Sequence, residues 1–236
     1  MAALSVGFCS AADAELLVAV YTGTSWTHSS DLRLEQASSA SNAEFRGVHW
    51  EPRPFRAAPY YGVRLSYFPD PAAHFGGNID FTHYKMYADT DRVTSVRGIW
   101  NGAPIDSSVP MSTLVRNFEI SHGVNLTSLN VEYRWSSGTE SQLGRRWWPH
   151  VGAGVTVYFP HTEGAINGVP AVGNYQRAGE GYQLFAGTEY RLVNRLGVFA
   201  DAKFDDGKLD FNLAPAVRVQ TRTRTVHALA GFAWHL

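Results

Sequence analysis

Two short segments of the chain carry residue types that bind metals and move protons. His83 and Lys85 alternate in one segment, and His161 and Glu163 alternate in the other. Alternate residues share one face of a β-strand, so the members of each pair can act together. Two imidazoles and one carboxylate form a ligand set that leaves open positions on a redox metal such as iron. Histidine also serves as a general base, and the Lys85 ammonium suits a phosphate as a point charge.

Eight segments with period-2 alternation supply the strands that could hold these residues. No segment with a 3.6-residue period competes with them. The predicted strands are Leu16–Trp26, Tyr60–Phe68, Gly77–Ala88, Val124–Trp135, His150–Pro160, Gly181–Leu192, Leu196–Phe204 and Arg224–Leu236. The sequence therefore predicts an all-β chain.

The connections between these strands alternate in length. The long ones are polar and rich in Gly, Ser and Pro: Thr27–Pro59, Asp89–Gly123, His161–Glu180 and Asp205–Thr223. The others are the tight turns Pro69–Phe75 and Val193–Arg195 and the intermediate Ser136–Arg146. An even number of strands with long loops at one end predicts an eight-stranded antiparallel transmembrane up-and-down barrel. Its long loops would lie outside the cell and its short turns in the periplasm.

The two faces of the predicted strands differ in polarity. One face is apolar, with residues such as Leu65, Leu129 and Val155. The other carries most of the charged residues, namely Arg64, Asp80, Glu132, Arg134, Glu189, Arg191, Asp201 and Lys203. Glycines share the charged face, as expected in a narrow lumen, and aromatic residues collect near the short-turn ends of the apolar face. We expect lipid on the apolar face and paired charges in the lumen; the alternative is a soluble, lipocalin-like barrel with the faces reversed.

The composition excludes several other classes of protein. Of the 236 residues 13% are aromatic, and 20 Lys and Arg nearly balance 21 Asp and Glu, for a net charge of -1. These values exclude a disordered chain and argue against a nucleic-acid-binding protein. No run approaches the roughly 18 apolar residues that a membrane-spanning helix needs.

Both ends of the chain carry patterns typical of exported barrels. Residues 1–14 resemble the end of a signal peptide, with an A-x-A cleavage site at 12–14, so that residues 15–236 form one barrel domain. Cys9, the only cysteine, lies in this leader, so the mature chain is expected to lack disulfides. At the other end, alternating Phe232, Trp234 and Leu236 resemble the sorting signal of bacterial outer-membrane barrels, although that signal usually ends in an aromatic residue. These patterns predict a location in the bacterial outer membrane.

In such a barrel, polar residues on the lipid-facing register near the long loops mark a candidate site. His83 and Lys85 continue the outward register past Phe81, and His161 and Glu163 continue it past Phe159. Asn125 and Thr127 lie in the same register on the strand between them. We predict that His83, His161 and Glu163 are the catalytic residues and the metal ligands. Lys85, Asn125 and Thr127 would bind the headgroup of lipopolysaccharide, whose lipid A carries phosphates and glucosamines.

Several segments resemble the rhizobial lipid A oxidase family. They are Asp80–Asp89, His122–Asn130, Pro149–Gly154, Pro160–Glu163, Val20–Gly23 and Tyr182–Arg191. The resemblance implies an outer-membrane enzyme that oxidises the proximal glucosamine of lipid A to 2-aminogluconate with molecular oxygen. Its catalytic residues are not carried over, so the site assignment depends on the register. The Leu236 ending and the Ala/Ser/Asn-rich segment 37–43 depart from the family and lie away from the candidate site.

The sequence leaves other interpretations open. A non-enzymatic eight-stranded outer-membrane barrel with a structural or surface-adhesion role would have the same strands, and polar residues are common at the rim of such barrels. For the oxidase, we expect a divalent or redox metal ion, with iron favoured, and lipid A or lipopolysaccharide as the partner. No nucleic-acid partner is expected, and the barrel is expected to be a monomer.

Overall fold

The computed structural model describes residues 14–56, 58–135, 146–214 and 216–236. In the described part of the chain no helix is long and apolar enough to cross a membrane. The predicted leader and Cys9 precede the described residues, and most of the predicted connection Ser136–Arg146 also lies outside them.

The described residues are mostly β-strand. In chain order the strands are β1 (Glu15–Thr27), β2 (Ser30–Gln36), β3 (Ser41–Val48), β4 (Trp50–Glu51), β5 (Tyr61–Phe68), β6 (Phe75–His83), β7 (Met86–Ala88), β8 (Val93–Trp100), β9 (Ala103–Pro110), β10 (Val115–Ile120), β11 (Leu126–Arg134), β12 (Trp147–Tyr158), β13 (Thr162–Ile166), β14 (Val169–Gly173), β15 (Gly179–Val193), β16 (Leu196–Leu213) and β17 (Val217–His235). Single 3₁₀ turns at Ala37–Ser39 and Met111–Thr113 interrupt the loops.

Eight of these strands close a barrel in the order β1-β5-β6-β11-β12-β15-β16-β17. The barrel closes because β1 also pairs antiparallel with β17, with Leu17 opposite His235 and Thr27 opposite Thr225. All neighbouring pairs in the barrel are antiparallel. The predicted eight-stranded antiparallel barrel is confirmed.

The apolar face of the barrel points outward. Val155, Val131 and Leu129 are 66%, 64% and 63% exposed, whereas Asp80 and Lys203 on the opposite face are 0% and 1% exposed. A soluble barrel would bury the first set and expose the second. An apolar exterior around a charged interior is stable when acyl chains surround it, as in outer-membrane barrels. The barrel is therefore of the transmembrane, outer-membrane type.

Ion pairs fill the lumen, as the sequence predicts. Arg64 lies 3.0 Å from a carboxylate oxygen of Asp80 and 2.8 Å from one of Asp201. Lys203 lies 3.0 Å from Asp80, and His150 lies 2.9 Å from Asp201. Buried charges of this kind need partners, because each one left unpaired carries a large desolvation penalty. The network makes the lumen a packed plug rather than a pore.

The outer part of the molecule corrects the predicted loops. Strands β16 and β17 continue through the predicted loop Asp205–Thr223 and meet at a turn near residue 214. The other long connections form strands as well: β2, β3, β8 and β9 extend the barrel sheet from β17, and β14-β13-β10-β7-β4 form a second sheet. Their inward residues, among them Leu32, Phe45, Phe118 and Phe211, are at most 2% exposed and belong to an apolar cluster that continues into the barrel through residues such as Tyr21 and Phe199. Burial on this cluster explains why polar segments fold as strands.

Candidate metal centre at the outer rim

The candidate site lies where three neighbouring barrel strands meet the outer sheet. Phe81 of β6, Thr127 of β11 and Val157 of β12 pair side by side and form one outward row. Above this row β6 ends at His83 and β12 ends at Tyr158. The chain then crosses into the second sheet through short irregular segments, and these segments and the start of β13 carry the polar residues.

Three of those polar residues converge. His122, His161 and Glu163 each offer one nitrogen or oxygen atom, and the three atoms lie within 4.8 Å of one another. Ligand atoms bound to one ion at about 2.1 Å lie at most about 4.2 Å apart. Ligands at neighbouring positions of a tetrahedral ion lie about 3.4 Å apart, so the most widely separated pair must close by up to about 1.4 Å to hold a metal. Glu163 Oε1 lies 3.4 Å from His122 Nδ1, and the two imidazole rings lie 4.6 Å apart at 72°.

Strand pairing and short hydrogen bonds set the positions of these three side chains. Glu163 belongs to β13, where it lies opposite Glu119 of β10. The backbone N–H of His161 donates to the carbonyl of Gly123 at 3.1 Å, which ties the two histidine segments together. Tyr175 covers the site, because its ring lies 4.9 Å from that of His161 and its hydroxyl donates to the His122 carbonyl at 3.2 Å.

Asn125 holds the loop that carries His122. Its Nδ2 donates to the carbonyls of His122, Gly123 and Phe159 at 3.2, 3.1 and 3.2 Å. The backbone of Asn125 has φ 47°, a left-handed conformation that Asn tolerates better than most residues. Asn125 therefore fixes the segment that carries His122, and it is buried rather than directed at a headgroup.

His83 lies beneath the group rather than within it. Its Nδ1 donates to Asn125 Oδ1 at 2.8 Å, and its ring stacks on Tyr61 at 4.8 Å. A Cβ atom on Gly123 would lie 2.3 Å from His83 Nδ1, so the glycine permits this close packing. Only 4% of His83 is exposed. The structure thus brings together two of the three predicted ligands, His161 and Glu163, and places His122 where His83 was expected.

The remaining predicted residues occupy different depths. Lys85 is 2% exposed, and its Nζ donates to the carbonyl of Arg56 at 3.0 Å. Its ammonium is therefore held by the loop before β5. Thr127 faces outward on the barrel wall, between Phe81 and Val157. Of the predicted headgroup contacts, Thr127 alone lies on the outer wall.

The environment of His161 favours the neutral imidazole. Burial, followed by the neighbouring His122, lowers the pKa of His161 below its ordinary value, against the opposing effect of Glu163. Its Nδ1 is buried and has no hydrogen-bond partner among the residues that the structure describes. Metals bind the neutral form of histidine. A buried ring nitrogen without a partner beside a second histidine and a carboxylate fits a metal centre.

Comparisons with known proteins give matches of structure only. No family model matches the chain, and a search of curated proteins gives no match. The outer-membrane protein OprG from Pseudomonas aeruginosa is similar at 12% identity and a TM-score of 0.49, covering 95% of this chain and 97% of that one. Neisserial surface protein A is similar at 12% identity and a TM-score of 0.44, with coverages of 94% and 98%. The N-terminal barrel domain of Pseudomonas aeruginosa OprF is similar at 14% identity and a TM-score of 0.42, covering 95% of this chain and 98% of that one.

Proposed function

We propose that this chain is an outer-membrane enzyme that oxidises the proximal glucosamine of lipid A to 2-aminogluconate with molecular oxygen. The observation that carries the proposal is the convergence of His122, His161 and Glu163 at the outer rim. Two histidines and one carboxylate are the ligand set of non-haem iron oxygenases. The resemblance of several segments to the lipid A oxidase family supports the same function.

The position of the metal centre suits a lipid substrate. The outward row of Phe81, Thr127 and Val157 continues downward into exposed apolar residues such as Ile79 and Val155, which are 52% and 66% exposed. Acyl chains would lie along this wall. The sugar headgroup of the same lipid would then lie at the height of the histidines, beyond the end of β12. Tyr175 is 61% exposed beside His161 and offers a ring to the sugar.

The side chains present fit a divalent redox metal. His122, His161 and Glu163 would hold it, and the donor set favours iron over calcium or magnesium because two of the ligands are imidazoles. When bound, the metal supplies electron transfer between the sugar and oxygen. The chain itself supplies the rigid support, through Asn125 and the backbone bond from His161 to Gly123. Partners of this kind orient the ligands of metal sites.

The reaction balances as a two-electron oxidation of the anomeric carbon. The C–H and O–H bonds of a free anomeric hydroxyl break, and a C=O bond forms to give the lactone. Oxygen takes up the two electrons and two protons and becomes hydrogen peroxide. Water then opens the lactone to the acid, which contains one oxygen atom more than the sugar.

Mass spectrometry of lipid A tests this function. Cells whose lipid A has a free anomeric hydroxyl are expected to contain lipid A heavier by one oxygen atom when they express the chain in air, and not when they grow without oxygen. His122→Ala, His161→Ala and Glu163→Gln should abolish the product. His74→Ala is the matched control, because His74 bonds the Arg134 carbonyl at the opposite end of the barrel. Unchanged lipid A in air would refute the oxidase and favour the non-enzymatic barrel, whereas full activity of His161→Ala would refute the metal centre.

A further inference from the structure

The barrel wall opposite the metal centre has a sharp boundary between apolar and charged residues. In the closed sheet β17 is four strands from β11 in either direction. On this side Trp26, Val226, Phe204 and Leu184 pair across β1, β17, β16 and β15 to form one outward row. The four side chains are apolar, and Trp26 is 54% exposed. This row is the last apolar one before the outer extension.

Basic residues begin directly above that row. The next outward pair is Arg224 opposite Asp206, and the following one is Arg222 opposite Lys208. Tyr182 lies opposite Asp206 on the other side, with its ring 6.1 Å from that of Phe204. Exposed aromatic residues at such a boundary are typical of the membrane interface.

A buried carboxylate arranges the two guanidinium groups. Asp206 is 4% exposed and accepts hydrogen bonds from Arg222 Nε and Nη2, both at 2.6 Å. Arg224 Nε donates to the same carboxylate at 3.4 Å. The arginine side chains themselves remain 45% and 49% exposed. With Lys208, three positive charges surround one negative charge, so the group keeps a net positive charge and free N–H donors.

A cleft of about 580 Å³ opens on these residues, lined by Lys208, Arg222 and Arg224. The acidic residues that also line it are Asp31, Glu44 and Asp210. Each of the three has a partner: Asp210 lies 2.7 Å from Arg218, and Glu44 lies 2.9 Å from Arg46. The Gly47 backbone N–H donates to Asp31 at 2.8 Å. With Arg33 included, the lining carries four basic residues against these three acidic ones, and Arg222, Arg224 and Lys208 are the basic residues directly above the apolar row.

We propose that this cleft binds a phosphate group of lipid A, as a lipid site separate from the metal centre. A lipid headgroup satisfies both halves of the surface at once. Its phosphate meets Arg222, Arg224 and Lys208, because arginine donates in a fork that matches phosphate oxygens. Its acyl chains meet the row of Trp26, Val226 and Phe204. A free phosphate would use only the upper half. The site depends on the barrel alone and does not require the oxidase activity.

Binding to the purified, folded chain in detergent tests the site. The probes are bisphosphorylated lipid A, the same lipid A without its phosphates, and inorganic phosphate. Bisphosphorylated lipid A should bind at least about tenfold more tightly than phosphate-free lipid A, because charged hydrogen bonds to two arginines are lost. Equal affinity of the two lipids would overturn the proposal without any variant. Inorganic phosphate that competes at the affinity of the lipid would show a free-anion site instead.

Variants locate the binding. The double variant Arg222→Gln with Arg224→Gln should lower the affinity for bisphosphorylated lipid A by at least about tenfold and leave the affinity for phosphate-free lipid A unchanged. The matched control is Arg53→Gln with Arg97→Gln, which removes two exposed arginines outside the cleft, neither of them paired with a residue that lines it. Folding of each variant is checked by its mobility on an unheated SDS gel. Equal weakening by both double variants would show nonspecific charge attraction and refute the site, whatever the outcome for lipid A oxidation.

Discussion

Removing the central carboxylate of the lumen should be among the most destabilising single changes in this barrel. Asp80 is 0% exposed and lies 3.0 Å from both Arg64 and Lys203. Tyr21 also donates a short hydrogen bond to it. In Asp80→Asn, Arg64 keeps Asp201 as a partner at 2.8 Å. Lys203, which is 1% exposed, loses its ion-pair partner at 3.0 Å.

The size of the effect follows from this geometry. Breaking a buried ion pair by removing one partner costs about 3–5 kcal/mol, because an uncompensated charge stays buried. We expect Asp80→Asn to lower the free energy of unfolding by about 4 kcal/mol. Adding Lys203→Met removes the stranded ammonium, so the double variant should be more stable than Asp80→Asn alone. The two changes should therefore show a large coupling energy in a double-mutant cycle.

Urea unfolding in phospholipid vesicles, followed by tryptophan fluorescence, measures these values. The matched control is Asp106→Asn, whose partner Arg97 lies 3.4 Å away with side chains 71% and 64% exposed. An exposed pair of this kind contributes less than about 1 kcal/mol. Two results would show that the lumen is hydrated and that the plug interpretation is wrong. One is that Asp80→Asn lowers the free energy of unfolding no more than the control does. The other is that the effects of Asp80→Asn and Lys203→Met simply add.

Three further predictions concern the metal centre and the lipid-facing wall. Asn125→Ala removes three hydrogen bonds that hold the His122 loop, so cobalt affinity, measured by absorption spectroscopy, should fall about tenfold or more; Thr127→Ala on the wall should not change it. Burial and His122 lower the pKa of His161 below its ordinary value, so its neutral form persists at pH 7. Cobalt affinity should therefore fall only as the pH drops below about 6.5, the ordinary pKa of histidine. An affinity that rises on acidification would contradict this. Leu129→Arg on the barrel wall should lower the free energy of unfolding in vesicles by about 2–4 kcal/mol. Val93→Arg, at the same 63% exposure but on the outer extension, should lower it by under about 1 kcal/mol. Equal losses would refute the position of the barrel wall in the membrane.

The alternation of the barrel strands, with glycines on the charged face and aromatic residues near the short turns, predicted which face meets lipid. Most outward residues are apolar and most inward ones are polar or small, although Phe185, Phe199 and Leu229 also point inward. This period of two is a direct consequence of strand geometry. The upper halves of β16 and β17 keep the same period, with Leu209, Phe211 and Leu213 facing inward. Their outward residues are charged because they lie above the membrane. Because these segments have no apolar outward face, the sequence pattern predicts a loop there.

The residues of the candidate site could be predicted only where the outward-facing register of the barrel strands continues without interruption. His161 and Glu163 both reach the metal centre, but the register is lost at two places. The chain passes from β6 into β7 between His83 and Met86, and Asn125 adopts a positive φ. The outward register counted back from Thr127 in steps of two gives Asn125 and Gly123 and so misses His122, and the left-handed Asn125 turns the chain at this point. The one sequence signal for His122 was its place in the segment His122–Asn130, which resembles the oxidase family.

The two rim sites differ in chemistry although both lie just above the apolar wall. The Arg222–Arg224 cleft offers two guanidinium groups held by Asp206, and the metal-binding group found among the described residues lies elsewhere, so the role proposed for the cleft is to bind a phosphate without changing it. The candidate metal centre offers imidazoles and a carboxylate, a donor set suited to a cation rather than an anion. A lipid with both phosphate and sugar in its headgroup can contact either site from the same leaflet. Oxidation should therefore depend on His161 and Glu163 and persist when Arg222 and Arg224 are replaced, and this pair of results separates binding from chemistry.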